Sequence, residues 1–126
     1  MKDLIPLLMC LMITASAVIN VKAQTSDSEK VFLVISVSVN TENKAELPDY
    51  LGSIMEVFKE NRGTPIGRYK TTSKLVGEGS PDLIAIISFP DSEVIEDMLN
   101  SDEYKKLEQL RERVFEKLNM IVTNQL

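Results

Sequence analysis

The stretch IGRYKTTSKLVGEGSPDLIAIISFP, from Ile66 to Pro90, predicts two strands joined by a turn. The turn is Gly77–Pro81, because glycine, serine and proline favour tight reversals of the chain. The strand after it, Asp82–Phe89, alternates between two faces, and both are apolar. One face carries Leu83, Ala85, Ile87 and Phe89, and the other carries Ile84 and Ile86. We therefore expect a hairpin whose second strand is covered on both sides.

A strand and a helix are predicted before this hairpin. The strand VFLVISVSV, Val31–Val39, is rich in β-branched residues, and its second face begins with Phe32 and Val34. The segment from Glu46 to Asn61 has the apolar spacing of an amphipathic helix, with Gly63 expected to end it in the left-handed conformation. The predicted buried stripe of this helix is Leu47, Tyr50, Leu51, Ile54, Met55 and Phe58.

A second helical region and a last strand follow the hairpin. Asp91 or Ser92 can cap the first helix, and a second start signal lies at Asn100–Glu103. The pattern predicts a long helix from Asp102 to about Lys117 and a strand from Asn119 to Thr123. The order β-α-β-β-α-β predicts an α+β fold, a ferredoxin-like sandwich with a four-stranded antiparallel sheet.

Two helices can cover only one face of such a sheet. Phe32, Val34, Ile84 and Ile86 would leave the other face apolar, and exposed patches of this kind usually mark interfaces. The simplest partner is a second copy of the chain, sheet against sheet about a two-fold axis. The sequence therefore predicts a homodimer through the open sheet face.

Residues 1–23 have the pattern of a signal peptide, with an apolar run from Leu4 to Ile19 and Val21-Lys22-Ala23 before the cut. An uncleaved anchor and a lipoprotein modified at Cys10 are the alternatives; the run is short for a span, and Met9 is bulky for a lipobox. Cleavage predicts export to the periplasm or the medium, with no stable membrane span. Residues 24–30 would form a flexible lead-in, and residues 31–126 the domain.

Composition excludes several functions. Removing Lys2, Asp3 and Lys22 from the 14 basic and 19 acidic residues leaves a net charge of −6, which opposes binding to nucleic acid. With no histidine, and with its single cysteine in the leader, the mature chain lacks the common catalytic triads, zinc sites and haem ligation, so we expect no metal or cofactor. The carboxylates Glu93, Glu96 and Asp97 are expected to be a solvated helix start.

Three residues are the candidates for a ligand site. Arg68 could clamp a carboxylate, with Gly67 leaving room beside it, and Tyr104 and Arg111 on the second helical region could reach the same pocket. Tyr69 and Glu78 are secondary candidates. The alternative is structural: Arg68 would pair with an acidic neighbour across the sheet, and Tyr104 would be a buried helix residue.

Several motifs together resemble the domain-of-unknown-function family 1330, within the dimeric α/β-barrel superfamily. They are Gly67-Arg68, Glu78-Gly79, Phe89-Pro90-Asp91-Ser92, Asn100 to Tyr104, and Arg111. Ser80 stands where the family often has tryptophan, and Leu99 where it has an aromatic residue. The resemblance implies the same fold and dimer, but no settled activity.

Two classes of function follow. One is a noncatalytic exported homodimer that binds a small organic ligand or serves as an interaction module. The other is a cofactor-independent monooxygenase or isomerase acting on a hydrophobic substrate, as some relatives in the superfamily are. An acid or base of suitable pKa facing the pocket would distinguish them, and histidine is not available for that role.

Overall fold

Four antiparallel strands form one sheet in the computed structural model, which describes residues 30–126. In chain order the strands are β1 (Val31–Val39), β2 (Thr64–Lys70), β3 (Leu83–Phe89) and β4 (Phe115–Asn124). Within the sheet they have the order β2-β3-β1-β4, and each neighbouring pair is antiparallel. This confirms the predicted α+β, ferredoxin-like fold with a four-stranded antiparallel sheet. The predicted signal peptide and almost all of the lead-in lie outside the described residues.

The helices pack against one face of this sheet. A 3₁₀ turn, Thr41–Glu46, precedes the first α-helix, and three short helices lie between β3 and β4. Two of those begin at the predicted caps: the Asp91 carboxylate accepts from the Val94 amide at 3.0 Å, and the Ser101 hydroxyl accepts from the Tyr104 amide at 3.3 Å. The helices are α1 (Leu47–Glu60), α2 (Ser92–Leu99), α3 (Asp102–Lys105) and α4 (Glu108–Val114).

The core lies between this helical layer and the sheet. Alternate residues of β1, from Val31 to Val37, are buried, as strand alternation predicts. Phe58 of α1 and Phe89 of β3 meet edge to face, with ring centroids 6.0 Å apart, and each is at most 2% exposed. Full burial of one such side chain contributes about 1.5–3 kcal/mol to folding. The chain's own helices therefore cover the helix-facing side of the sheet.

The end of α1 differs from the prediction in one respect. Arg62, with φ of 64°, takes the left-handed conformation, and Gly63 does not. The Gly63 amide donates to the Phe58 carbonyl at 2.7 Å and the Arg62 amide to the Lys59 carbonyl at 3.2 Å, which is the Schellman pattern. Glycine is needed at 63 for space, because a Cβ there would lie 2.8 Å from the Phe58 carbonyl and from the Phe89 ring.

The predicted long second helix is wrong. The predicted helix is divided into α3 and α4 where the Leu107 amide donates to the Tyr104 carbonyl, three residues back, at 3.1 Å, and α4 ends at Val114 rather than near Lys117. Strand β4 begins at Phe115, four positions before the expected start, and pairs with β1 as far as Val39. Because β1 continues to Val39, its backbone groups need partners along its full length, and this demand outweighs the helical pattern of the last turn.

The hairpin between β2 and β3 is confirmed, but its first strand is shorter than the apolar pattern suggests. Strand β2 ends at Lys70, and the Thr71 amide donates to the Asp82 carbonyl at 3.0 Å where the loop closes. Asp82 also ties this point to β1, because its carboxylate accepts from the Val39 amide at 2.7 Å. Leu75 and Val76 thus lie in the loop, and each is 92% exposed.

The opposite face of the sheet has no covering layer among the described residues. Phe32 and Val34 of β1 share this face with Ile84 and Ile86 of β3, and all four are only half-buried. Ile121 of β4 lies beside them and is 57% exposed. We call this surface the open face. Between residues 30 and 126, every helix is too short or too polar to cross a lipid bilayer.

Candidate functional site

A cavity of about 350 Å³ lies between the sheet and α1. Its walls are mostly apolar and come from the helix-facing side of β1 and β3, from α1, and from the start of β4. Ile35, Ile54 and Phe115 on these walls are at most 9% exposed. The remaining side is strand β2, at the edge of the sheet, where the lining residues Arg68 and Lys70 are exposed. The cavity therefore has a buried inner end and an open, basic rim.

Arg68 lies at this rim because of its register. It pairs with Ala85, which pairs with Ile35, so all three lie on the helix-facing side of the sheet. Lys70 pairs with Leu83 and shares that side. Within residues 30–126 the structure shows a single ion pair, between Arg113 and Glu46 at 3.2 Å. In the described part of the chain, Arg68 thus lacks the acidic neighbour that its structural alternative required.

The glycine before Arg68 serves a different purpose from the expected one. A Cβ at position 67 would collide with the ring and hydroxyl of Tyr69, which lies over Gly67. Gly67 pairs with Ile86 and Tyr69 with Ile84, so both belong to the open face, opposite Arg68. Gly67 therefore makes room for Tyr69, and it does not open a path to the Arg68 side chain.

Tyr104 and Arg111 contact each other but do not line the cavity. The Arg111 guanidinium carbon lies 4.1 Å from the centre of the Tyr104 ring, a cation–π contact. The Tyr104 hydroxyl lies 3.9 Å from the Met120 sulfur, and burial raises the pKa of Tyr104. The Nη1 atom of Arg111 is buried and has no hydrogen-bond partner in the described part of the chain. The three candidates are thus not brought to one point.

Tyr50 is a cavity-lining residue that sequence reasoning did not select as a site candidate. It was predicted as part of the buried stripe of α1, and it is indeed only 3% exposed, yet it also lines the cavity. Its ring meets Phe115 edge to face at 5.1 Å. Burial raises the pKa of Tyr50, and the neighbouring Arg111 guanidinium partly offsets this. The sequence did contain a signal for this role. Tyr50 is the one residue with a hydroxyl in the predicted buried stripe of α1, and a buried hydroxyl needs a hydrogen-bond partner.

The remaining candidates have no shared arrangement. Tyr69 also borders the rim of the cavity, although the strand register puts it on the open face, and it is 54% exposed. Glu78 lies in the exposed loop after β2. Over residues 30–126, no three acidic or thiol side chains come together as a metal site would require. The polar side chains on the cavity are therefore phenols and cations, which suit the binding of a hydrogen-bond acceptor or an anion.

The family model of Domain of unknown function (DUF1330) matches residues 30–125, and the chain belongs to this family. This is the family that the sequence motifs resemble. A search among curated proteins finds no match.

Solved structures share the fold at low sequence identity. A protein of unknown function from Rhodopseudomonas palustris has a TM-score of 0.68 at 18% identity, covering 85% of this chain and 92% of its own. A dabb family protein with a ferredoxin-like fold from Mesorhizobium loti has a TM-score of 0.60 at 11% identity, covering 77% and 97%. SnoaB, a cofactor-independent oxygenase from Streptomyces nogalater, has a TM-score of 0.58 at 11% identity, covering 77% and 93%.

Proposed function

We propose that this protein is an exported homodimer that binds a small organic acid in the cavity between the sheet and α1. The observation that carries the proposal is Arg68, an exposed guanidinium on the rim of an apolar cavity, with no acidic partner in the described part of the chain. A planar guanidinium can bind a carboxylate through two parallel hydrogen bonds. The apolar walls would hold the body of the ligand, as in most small-molecule sites.

Ligand binding can be tested by thermal shift with a panel of arylalkanoic acids and their methyl esters. A binder at a hundredfold excess over its dissociation constant stabilises the native state by about 2.7 kcal/mol. We expect Arg68→Ala to abolish the shift given by the acids while circular dichroism shows an intact fold. The matched control is Arg113→Ala, because Arg113 is also exposed but pairs with Glu46 away from the cavity.

Two results would contradict the ligand proposal. The first is that Arg68→Ala binds the acids as tightly as the parent, which would mean that the rim arginine does not recognise them. The second is that Ala85→Leu, which adds volume to the cavity wall, leaves their affinity unchanged. The second result would place the ligand outside the cavity, whatever the role of Arg68.

The dimer proposal rests on the open face. Its apolar residues lie on the two central strands, and a second copy can bury them about a two-fold axis. The likeness to the dabb family protein supports this arrangement. We expect sedimentation to give a dimer at micromolar concentration and Ile86→Glu to give a monomer or an aggregate. Gln109→Glu, on an exposed position of α4, is the control. A parent protein that sediments as a monomer would refute the dimer.

An enzymatic role is the second candidate. The fold likeness to a cofactor-independent oxygenase favours it, and the cavity would suit a hydrophobic substrate. Against it, the lining side chains that titrate are tyrosine, arginine and lysine, and burial raises the pKa of Tyr50 away from neutrality. A base poised near pH 7 is what such chemistry needs. Oxygen uptake with aromatic phenols or hydroquinones, absent in a Tyr50→Phe variant, would favour the enzyme.

Export is proposed from the leader alone. Mass spectrometry of protein recovered from the periplasm or medium should give an N-terminus at Gln24, after cleavage behind Ala23. A cytoplasmic product that still begins at Met1 would contradict export.

A further inference from the structure

Two cations lie at the ends of neighbouring rows of residues that form the floor of the cavity. Each row consists of residues paired side by side across β1, β3 and β2, and it ends at the edge strand β2. All six residues line the cavity: Ile35, Ala85 and Arg68 in one row, and Val37, Leu83 and Lys70 in the next. Arg68 and Lys70 are therefore neighbours on one side of β2, where an apolar floor meets solvent.

The spacing of the two cations suits a single ligand. Residues two apart in a strand point to the same side, and two rises of about 3.3 Å put their Cα atoms roughly 6.6 Å apart. The planar guanidinium of Arg68 suits a bidentate contact with one carboxylate. The ammonium of Lys70 is carried on a flexible stem with four carbon atoms, so it can follow the position of a second negative charge.

Neither cation is balanced by an acidic side chain in the described part of the chain. The residues that line the cavity there include no aspartate or glutamate, and the single ion pair between residues 30 and 126 joins Arg113 to Glu46. Asp82 lies directly before β3, but its carboxylate accepts from the Val39 amide at 2.7 Å. Because two like charges side by side repel each other, a ligand with two negative charges gains more from this rim than a ligand with one.

We propose that the polar end of the ligand carries two carboxylates, one bound by Arg68 and the other by Lys70. This inference rests on the proposed binding of an organic acid and names its class: a dicarboxylate with both charges at one end and an apolar tail. The tail would occupy the apolar part of the cavity. A dicarboxylate with one charge at each end is disfavoured, because the lining residues include no cation besides these two.

The test uses three matched pairs of probes. The dicarboxylates are 2-benzylmalonate, 2-benzylsuccinate and 2-benzylglutarate, and the partners that lack one carboxylate are 3-phenylpropanoate, 4-phenylbutanoate and 5-phenylpentanoate. Calorimetry with the full mature protein is done at mildly alkaline pH, where both carboxylates are ionised. At low salt the best dicarboxylate should bind roughly three- to fivefold more tightly than its partner, the value of one exposed ion pair. This ratio should fall at high salt, because salt screens exposed charges.

Variants at two lysines separate a local contact from the effect of net charge. Lys70→Gln should bring the ratio to about one, whereas Lys70→Arg, which keeps the charge, should retain a preference for the dicarboxylate. The matched control is Lys59→Gln, because Lys59 is also exposed but lies in the last turn of α1 and does not line the cavity. It changes the net charge by the same amount and should leave the ratio as in the parent.

The outcomes distinguish this inference from the proposed function. If the monoacids bind and no dicarboxylate binds more tightly, or if Lys70→Gln keeps the preference, the second carboxylate contact is refuted while the cavity remains a site for acids. If Lys59→Gln removes the preference as fully as Lys70→Gln, the effect is one of net charge and the inference fails. If no probe binds, the proposed function and the inference both fail. A preference that disappears only in Lys70→Gln supports the assignment.

Discussion

The two faces of the sheet are built from the same strands but are completed differently. On the helix-facing side, Phe89 is 1% exposed and packs against Phe58 of α1. On the open face, Phe32 is only half-buried, although it lies next to the residue that pairs with Phe89. Alternation along a strand makes both sides apolar, but it does not say what covers them. The helix-facing side is a core that the chain's own helices cover, whereas the described residues leave the open face partly exposed.

The largest change in the free energy of unfolding is expected when one phenylalanine from each face is replaced in turn. Phe89→Ala should lower the free energy of unfolding by about 3–5 kcal/mol, because it leaves a cavity in a closed core. Phe32→Ala should cost less than about half of that at low protein concentration, since its ring is already partly in water. Urea unfolding measures both. Equal losses at every concentration would mean that the two faces are equally well covered within one chain.

Glycines on the two faces give the next comparison. Gly63→Ala should destabilise by about 1–3 kcal/mol, because a Cβ meets the backbone of Phe58 and the buried Phe89 ring. Gly67→Ala meets the Tyr69 ring, which is half-exposed and can swing away, so the cost should stay below about 1 kcal/mol. Gly52, with open space around it in α1, is the control, and its change to alanine should stabilise by about 0.5–1 kcal/mol.

Alkaline pH should weaken the helix-facing side through Tyr50 and Tyr104. Burial raises the pKa of both above the ordinary value of 10.0. Above pH 10 the unfolded chain therefore releases these protons first, so the stabilisation is complete below pH 10 and is lost as the pH rises. Urea unfolding at pH 9 and pH 11 should show a smaller loss for Tyr50→Phe than for the parent. An identical loss would mean that the Tyr50 hydroxyl is not desolvated.

The last prediction concerns the backbone at the end of α1, beside Gly63. Arg62 holds φ of 64°, which glycine adopts without strain, so Arg62→Gly should stabilise the fold by about 1 kcal/mol. Chemical denaturation measures this change. A loss of stability would show that the Arg62 side chain makes a contribution larger than its backbone strain.

The sequence was sufficient for the sheet and for the caps. The alternation in β1 predicted its buried residues, and the Asp91 and Ser101 signals placed the starts of α2 and α3. It failed from Phe115 to Lys117, where the predicted helix continues although the chain has already started β4. Local spacing records which residues are apolar, whereas the start of β4 depends on the backbone groups of β1, which lie far away in the sequence.

The candidate site likewise contains residues that the sequence selected and one that it did not. Sequence reasoning selected Arg68 from the Gly67-Arg68 pair and expected it at the pocket; the structure places it on the rim of the cavity, although Gly67 serves Tyr69 instead. It also selected Arg111 and Tyr104, which stack on each other beside the cavity without lining it. Tyr50 was predicted only as a core residue, because the cavity that it lines is formed by strands and a helix that are distant in the chain.

The sequence by itself determined the order of elements, the family, and the presence of two apolar sheet faces. These follow from local preferences and from the two-residue period of a strand, which act along the chain. Tertiary structure alone decided that Gly67 makes room for Tyr69, that Arg62 rather than Gly63 turns left-handed, and that Arg111 stacks on Tyr104. Each depends on which side chains meet across the fold, and that is fixed by register and packing rather than by local pattern.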